Sequence, residues 1–209
     1  MPRVDFPLYL ITDRHQTAGR PLLAVLAEAL GAGAPAIQLR EKDLATPRLL
    51  DLAQDVFRLT QGARAKLLIN DRIDLVLALH ADGVHLRSSS LGVAVARRIL
   101  GPTPLIGISV HAADEVLRAE AEGADFAVLG PIYSTPSKSG YGPPIGIEPI
   151  EQAANHSRIP VFAIGGITAQ RVGEVRRAGA FGVAVISSIL AAESISDATS
   201  RIIGAVVAG

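Results

Sequence analysis

Residues that could bind anions or transfer protons follow several short apolar runs of the sequence. They are Gln38, Arg40 and Lys42; Asn70 and Asp71; Ser109 and His111; Thr135, Ser137 and Lys138; Gly165 and Gly166; and Ile186 and Ser187. Short apolar runs separated by helical stretches are typical of buried parallel strands. Because ligands bind at the carboxyl ends of such strands, we expect these residues to surround one active site.

A phosphate site is predicted after the last two apolar runs. Gly165 and Gly166 would let the backbone approach a ligand closely. Ile186 and Ser187 would open a short extra helix, whose N-terminus favours anions. In barrels of parallel strands these two loops form a recurrent phosphate cradle. The alternative is a tight turn at the glycines and a simple helix cap at the serine.

Two further groups could bind a charged heterocycle. Gln38, Arg40 and Lys42 alternate along a strand end and therefore share one face, although a solvated rim of charges is the alternative. Asp71 is suited to a hard cation such as Mg²⁺, and Asn70 to a hydrogen bond with a heterocycle. This pair could instead cap a helix that begins near Arg72, and the two roles are compatible.

A proton shuttle and an anion-binding loop complete the candidate set. Of the 5 histidines, His111 has the best position for acid–base chemistry because it follows a strand end, whereas His85 lies within a strand run and could fill the barrel. Thr135, Ser137 and Lys138 offer hydroxyl groups and one ammonium group on a loop, for which a solvated loop lysine is the ordinary alternative.

Eight strand–helix units must position these residues. Strands are predicted at 8–12, 36–40, 66–70, 83–86, 105–109, 126–130, 161–165 and 182–187, and helices at 20–32, 46–62, 72–80, 91–100, 112–122, 145–156, 168–178 and 194–207. Thr46 and Thr168 are expected to be N-caps, and Gly123 and Gly179 to end helices. Eight units predict an α/β fold, a single (β/α)8 TIM barrel over residues 1–209, with an open doubly wound sheet as the alternative.

Composition excludes several classes of function. The chain has 20 basic and 20 acidic residues, so no net charge attracts nucleic acid or an anionic membrane. It has no cysteine, which excludes disulfides and thiolate chemistry. Neither a signal peptide nor an apolar run of membrane-spanning length is visible. We expect a cytoplasmic protein with a small-molecule phosphate substrate and no nucleic-acid or membrane partner; a homo-oligomer is left open.

Taken in order, the motifs resemble those of the thiamine phosphate synthase/TenI family over nearly the whole chain. They are Leu8 to Arg14, Gln38 to Lys42, Ile69 to Arg72, Ala81 to Leu86, Ser109 to His111, Gly130 to Ile132, Thr135 to Lys138, Ala163 to Ile167 and Val185 to Ser187. The resemblance implies a (β/α)8 barrel, in agreement with the count of units.

The synthase branch of that family implies a role for each cluster. Gln38, Arg40, Lys42, Asn70, Ser109 and Lys138 would bind the aminopyrimidine diphosphate. The thiazole phosphate would be held by Thr135, Ser137, Gly166, Ile186 and Ser187. Asp71 and a second aspartate would hold Mg²⁺, the cofactor expected of a synthase.

This chain departs from the synthase pattern after the fourth strand. Ser90 stands where the second aspartate is expected, and Arg87 replaces a glycine. A neutral hydroxyl is a poor substitute for a carboxylate at Mg²⁺. The departure favours the TenI-like branch, whose thiazole tautomerases aromatise a carboxythiazole phosphate without a cofactor, with His111 as the catalytic acid–base.

Three alternatives to a tautomerase stay open. A thiamine phosphate synthase with an unusual Mg²⁺ site would explain why Gln38, Arg40, Lys42, Asn70, Asp71 and Lys138 are all present. A non-catalytic regulator could bind a phosphate ligand on the same barrel, because a fold does not fix a function. Another phosphate-binding barrel enzyme, such as an epimerase or aldolase, is the last alternative, although no Schiff-base lysine lies within a strand run.

Overall fold

Eight parallel strands close into a barrel in the computed structural model, which describes residues 4–135 and 143–208. The strands are β1 (Leu8–Ile11), β2 (Ala36–Leu39), β3 (Lys66–Asn70), β4 (Gly83–Leu86), β5 (Leu105–Val110), β6 (Phe126–Leu129), β7 (Val161–Ile164) and β8 (Gly182–Val185). The helices are α1 (Leu22–Gly31), α2 (Thr46–Ala63), α3 (Ile73–Leu79), α4 (Val93–Leu100), α5 (Ala113–Ala121), α6 (Glu148–His156), α7 (Ala169–Arg177), α8 (Ser187–Leu190) and α9 (Ile195–Ala208), and a 3₁₀ turn spans Arg14–Gln16.

Each strand pairs with its neighbour in the chain, and β8 pairs with β1 through Leu8 and Val183. This closure confirms the predicted (β/α)8 barrel, and the open sheet is wrong. Because all strands are parallel, their carboxyl ends meet at one end of the barrel, which we call the mouth. The polar clusters that the structure describes therefore gather at the mouth.

Side chains alternate between the lumen and the helical layer along every strand. Tyr9, Phe126 and Phe162 fill the lumen, whereas their neighbours in sequence pack beneath the helices. Gly107 makes room for this filling, because a Cβ at that position would lie 2.3 Å from the Phe126 ring. The lumen is thus a packed core that closes the mouth from below.

Several predicted boundaries differ from the structure at helix starts. Thr46 is the first residue of α2 and Ala45 is its N-cap, while Thr168 occupies the N-cap position of α7 without a side-chain cap bond. Gly123 and Gly179 do follow helix ends, with φ values of +96° and +97°. Within the described residues, no helix is long and apolar enough to cross a membrane.

Candidate active site

A small cavity of about 70 Å³ lies between the ends of β7 and β8. Its lining includes four residues predicted to hold the thiazole phosphate: Thr135, Gly166, Ile186 and Ser187. Gly165 and Gly166 adopt φ values of +97° and +63°, in the region that favours glycine. A Cβ on Gly166 would also lie 2.8 Å from the Ser134 carbonyl oxygen. The glycine pair is therefore required by the shape of this cavity.

Backbone donors are available in this cavity. The N–H groups of Gly166 and Ser187 donate to no backbone carbonyl among the described residues. The short extra helix predicted after the last strand is α8; Ile186 is its N-cap, and Ser187 is its first residue rather than its cap. Ser188 ties the two loops together because its hydroxyl donates to the Ile167 carbonyl oxygen. Such a pair of loops can hold an anion through backbone N–H groups.

Arg171 stabilises the glycine loop, a role that the sequence did not reveal. Its Nη1 donates to the Gly166 carbonyl oxygen at 2.7 Å, and its guanidinium lies 4.4 Å from the centre of the Tyr133 ring. The Tyr133 hydroxyl donates in turn to Glu174 at 2.6 Å. An arginine in the first turn of a surface helix carries no recognisable sequence signal, so only the structure connects it to the loop.

The other side of the mouth presents polar side chains from β2, β3 and β5. Strand register directs Gln38, Asn70 and Ser109 toward the lumen, where Gln38 is 1% exposed. Asn70 donates to Asp71 at 3.1 Å, yet its buried Oδ1 has no hydrogen-bond partner among the described residues. An orphaned buried acceptor is costly in a folded protein and fits a ligand that donates to it.

His85 supports Ser109 from inside the barrel. Its Nε2 lies 2.9 Å from the Ser109 hydroxyl, and its ring packs against Tyr9 and Phe126 with centroids 5.7 and 5.9 Å away. Burial lowers the pKa of His85 to about 3, so the imidazole is neutral near pH 7. The structure therefore agrees with the interpretation of His85 as a residue that fills the barrel, and adds a contact with Ser109.

The loop after β2 separates its acidic residue from its basic ones. Glu41 is buried and accepts hydrogen bonds from the Arg14 backbone N–H at 3.2 Å and its Nη1 at 3.1 Å. The Arg40 backbone N–H donates to the Thr12 hydroxyl at 2.9 Å. Lys42 is exposed and lines a cavity of about 350 Å³ together with Asn70, Asp71 and Arg87. Glu41 also lines this cavity, and Arg14 neutralises its charge there.

The Asp71 carboxylate is occupied by side chains of this chain. Asp71 adopts a φ of +60°, and neither it nor Asn70 caps α3, whose N-cap is Arg72; the capping alternative is wrong. Arg87 Nε donates to Asp71 Oδ2 at 2.5 Å, and the Ser90 hydroxyl donates to Oδ1. Ser90 also accepts from the Arg87 backbone N–H at 2.8 Å.

These residues do not fit a Mg²⁺ site. Both Asp71 oxygens accept hydrogen bonds, one of them from the Arg87 guanidinium. The position where a synthase would have its second aspartate holds Ser90, which has no carboxylate. Over residues 4–135 and 143–208, no three histidine, cysteine, aspartate or glutamate side chains lie close enough to hold a metal. Mg²⁺ requires several oxygen ligands in octahedral geometry, and a neighbouring cation opposes its binding.

His111 lies at the rim of the mouth, between the ends of β5 and β6. Its Nδ1 is 2.6 Å from the Gly130 carbonyl oxygen, which can only accept, so Nδ1 carries the proton. Nε2 is then an acceptor without a hydrogen-bond partner among the described residues. Two further residues that the sequence predicted for the site, Ser137 and Lys138, lie outside the described residues.

Comparison with known proteins assigns the chain to a family. The family model described as thiamine monophosphate synthase matches residues 8–189. A Geobacter sulfurreducens protein named "Putative thiamine-phosphate synthase" is 52% identical over 91% of this chain and 90% of its own length. A thiamine-phosphate synthase of Roseiflexus sp. is 41% identical over 96% of this chain and 85% of its own length.

A solved structure agrees with these relatives. The thiamine phosphate pyrophosphorylase of Pyrococcus furiosus superposes with a TM-score of 0.89 at 35% identity, covering 99% of this chain and 98% of that one. None of these three relatives carries a tautomerase name, so they favour the synthase alternative over the tautomerase. The chain belongs to the thiamine phosphate synthase/TenI family.

Proposed function

We propose that this protein is a thiamine-phosphate synthase, which joins hydroxymethylpyrimidine diphosphate to thiazole phosphate and releases diphosphate. The observation that carries the proposal is the presence of two separate polar subsites at one mouth. One is the glycine-lined cavity between β7 and β8, and the other is formed around Gln38, Asn70 and Ser109. A tautomerase of a single phosphate substrate needs only the first. The synthase names of relatives 41–52% identical support the same choice.

The reaction suits a site that positions two reactants and neutralises the charge of the departing diphosphate. The carbon–oxygen bond to diphosphate breaks with its electron pair on the leaving oxygen, and the resulting pyrimidine cation is attacked by the thiazole nitrogen lone pair. Gln38, Asn70 and Ser109 would orient the pyrimidine, and Arg40 and Lys42 would attract the diphosphate. Holding two reactants in register and stabilising the departing charge lower the barrier without a covalent intermediate.

The thiazole phosphate would bind across the mouth from the pyrimidine. Backbone N–H groups of Gly166 and Ser187, with Thr135 beside them, would hold its phosphate, and Ser137 stays a predicted contact. This arrangement would point the thiazole nitrogen toward the lumen-facing residues. Mg²⁺, the cofactor expected of a synthase, does not fit the residues around Asp71, and we assign no step to it.

A coupling assay tests this function. Purified protein is incubated with both precursors, and thiamine phosphate is measured by mass spectrometry. We expect product, and we expect Ser109→Ala and Gly166→Ala to lower kcat/KM by at least about tenfold. Ser109→Ala removes a hydroxyl proposed to contact the pyrimidine, and Gly166→Ala adds a Cβ that distorts the glycine loop. Absence of thiamine phosphate from a folded protein that binds both precursors would contradict the proposal.

A thiazole tautomerase is the second candidate, because His111 lies at the rim and its Nε2 has no hydrogen-bond partner in the part of the chain that the structure describes. The hydrogen bond to Gly130 fixes its tautomer and leaves Nε2 as a base. Aromatisation of carboxythiazole phosphate, lost in His111→Asn, would support this candidate. Coupling activity that survives His111→Asn within about threefold would favour the synthase.

A further inference from the structure

We infer that Arg87 binds the diphosphate directly and supplies the positive charge that a metal ion would otherwise bring to this mouth. The inference rests on the proposed function, because diphosphate is the leaving group of that reaction. It predicts a synthase site that binds its diphosphate without Mg²⁺. Three observations about Arg87 carry it: its anchoring, its free edge and its position between two cavities.

Arg87 is anchored through only one of its nitrogens. Nε donates to Asp71 Oδ2 at 2.5 Å, and Ser90 fixes the base of the arginine by accepting its backbone N–H at 2.8 Å. The Ser90 N–H donates back to the Arg87 carbonyl oxygen at 2.9 Å, which closes a tight turn. Asp71, itself held by a backbone bond to His85, therefore acts as a fixed support for the guanidinium.

The Nη edge of Arg87 is left for a ligand. Neither Nη atom has a hydrogen-bond partner among the described residues, and the side chain is 42% exposed. Arg87 lines the cavity of about 350 Å³ that contains Lys42 and Asn70, and also a neighbouring cavity of about 250 Å³ that contains Ser109. Its free edge thus lies among the residues proposed to bind the pyrimidine diphosphate.

The chemistry of a guanidinium matches this ligand. Two parallel N–H groups can bind two oxygens of one phosphate, and the charge is permanent near neutral pH. When the carbon–oxygen bond breaks, the additional negative charge develops on the diphosphate oxygen beside this cation. Arg87 would stabilise that charge, and Asp71 would orient Arg87 without contacting the substrate.

Binding of inorganic pyrophosphate tests the inference without relying on turnover. Titration calorimetry is performed in EDTA with wild type and Arg87→Gln. We expect wild type to bind without Mg²⁺ and Arg87→Gln to bind about tenfold to a hundredfold more weakly, the range expected for charge-assisted hydrogen bonds. Binding that appears only with Mg²⁺, or that is unchanged in Arg87→Gln, would overturn the inference.

Two control variants separate direct contact from general charge. Arg118→Gln removes an exposed arginine that lines the neighbouring cavity and pairs with Asp114. The affinity of this variant for pyrophosphate should stay within about twofold of that of wild type. The double variant Asp71→Asn with Arg87→Gln restores the net charge of wild type. It should bind pyrophosphate as weakly as Arg87→Gln; recovery of wild-type affinity would mean that Arg87 only neutralises Asp71.

A metal-binding readout completes the experiment. Wild type should show no tight Mn²⁺ site by electron paramagnetic resonance, whereas Arg87→Gly with Ser90→Asp should gain one. A wild-type Mn²⁺ site that Asp71→Asn removes would refute the assignment. Mg²⁺-free pyrophosphate binding without coupling would reject the proposed function alone, whereas coupling that requires Mg²⁺ would reject the role of Arg87 alone.

Discussion

At the scale of single residues, the environment of Asp71 matters most for the chemistry. Ser90 stands where the family resemblance implies a second acidic ligand, and this departure is visible in the sequence. The hydrogen bond from Arg87 to Asp71 could not be predicted from the sequence, because it depends on the turn that Ser90 closes. Sequence reasoning therefore identified the altered metal position and the arginine beside it, but not the ion pair that Arg87 forms with Asp71.

Gly166 offers a direct test of the phosphate cavity. Gly166→Ala forces alanine into a left-handed conformation, which costs roughly 1–2 kcal/mol, and places a Cβ 2.8 Å from the Ser134 carbonyl oxygen. We expect a lower melting temperature and at least about tenfold weaker binding of thiazole phosphate. Gly204→Ala in α9 is the matched control, because a Cβ there meets nothing within 4 Å.

In that control, the melting temperature should rise slightly, since alanine favours a helix over glycine by about 1 kcal/mol. Ligand affinity should remain that of wild type. Equal affinity for thiazole phosphate in Gly166→Ala and wild type, measured by calorimetry, would remove Gly166 from the phosphate site.

Neutral His85 predicts how stability changes with pH. Its folded-state pKa of about 3 lies below the ordinary value of 6.5, so the unfolded chain binds more protons between these values. The contribution of neutral His85 to the free energy of unfolding is fully present above pH 6.5. It decreases by roughly 1 kcal/mol per pH unit as the pH falls from 6.5 toward 3. The free energy of unfolding in urea, measured at pH 7 and pH 5, reports this loss.

His85→Gln should reduce the difference between pH 7 and pH 5 by roughly 2 kcal/mol, since glutamine does not titrate. His156→Gln, which removes an exposed histidine, should change that difference much less. An identical pH dependence in wild type and His85→Gln would show that His85 does not determine it.

At the scale of elements, apolar runs located all eight strands, because a strand buried on both faces must be apolar throughout. Strand ends were less predictable. The run at 182–187 ends as a strand at Val185, since Ile186 becomes the N-cap of α8 and Ser187 its first residue. Thr46 likewise begins α2 rather than capping it, because Ala45 already has the extended conformation of an N-cap.

The close packing between β5 and β6 predicts that a side chain at Gly107 destabilises the barrel. Gly107 pairs with Phe126, and a Cβ there would lie 2.3 Å from the Phe126 ring. Gly107→Ala should lower the free energy of unfolding by about 1–3 kcal/mol, because a filled lumen cannot accept another methyl group. Gly62→Ala in α2, where nothing lies within 4 Å, should raise it slightly.

Chemical denaturation of both variants measures these effects. Tolerance of Gly107→Ala at wild-type stability would mean that the lumen is loosely packed around Phe126. Such a result would also weaken the view that the lumen is a rigid base for Ser109 and Asn70.

At the scale of the whole molecule, closure of the barrel brings together residues that lie far apart in the chain. Strand periodicity and the positions of the polar clusters were sufficient to predict this convergence. The preference for a tautomerase gave great weight to Ser90, whereas relatives of 41–52% identity with synthase names favour the coupling reaction. A net charge of zero also means that local geometry would have to hold the two anionic substrates of the proposed reaction.

The most direct test of the central claim is the stoichiometry of the coupling reaction. Purified wild-type protein is given both precursors, and thiamine phosphate and pyrophosphate are quantified over the same time course. We predict that the two products accumulate in equal amounts and that neither forms when thiazole phosphate is omitted. Release of pyrophosphate without thiamine phosphate, or no release at all from protein that binds both precursors, would contradict the account.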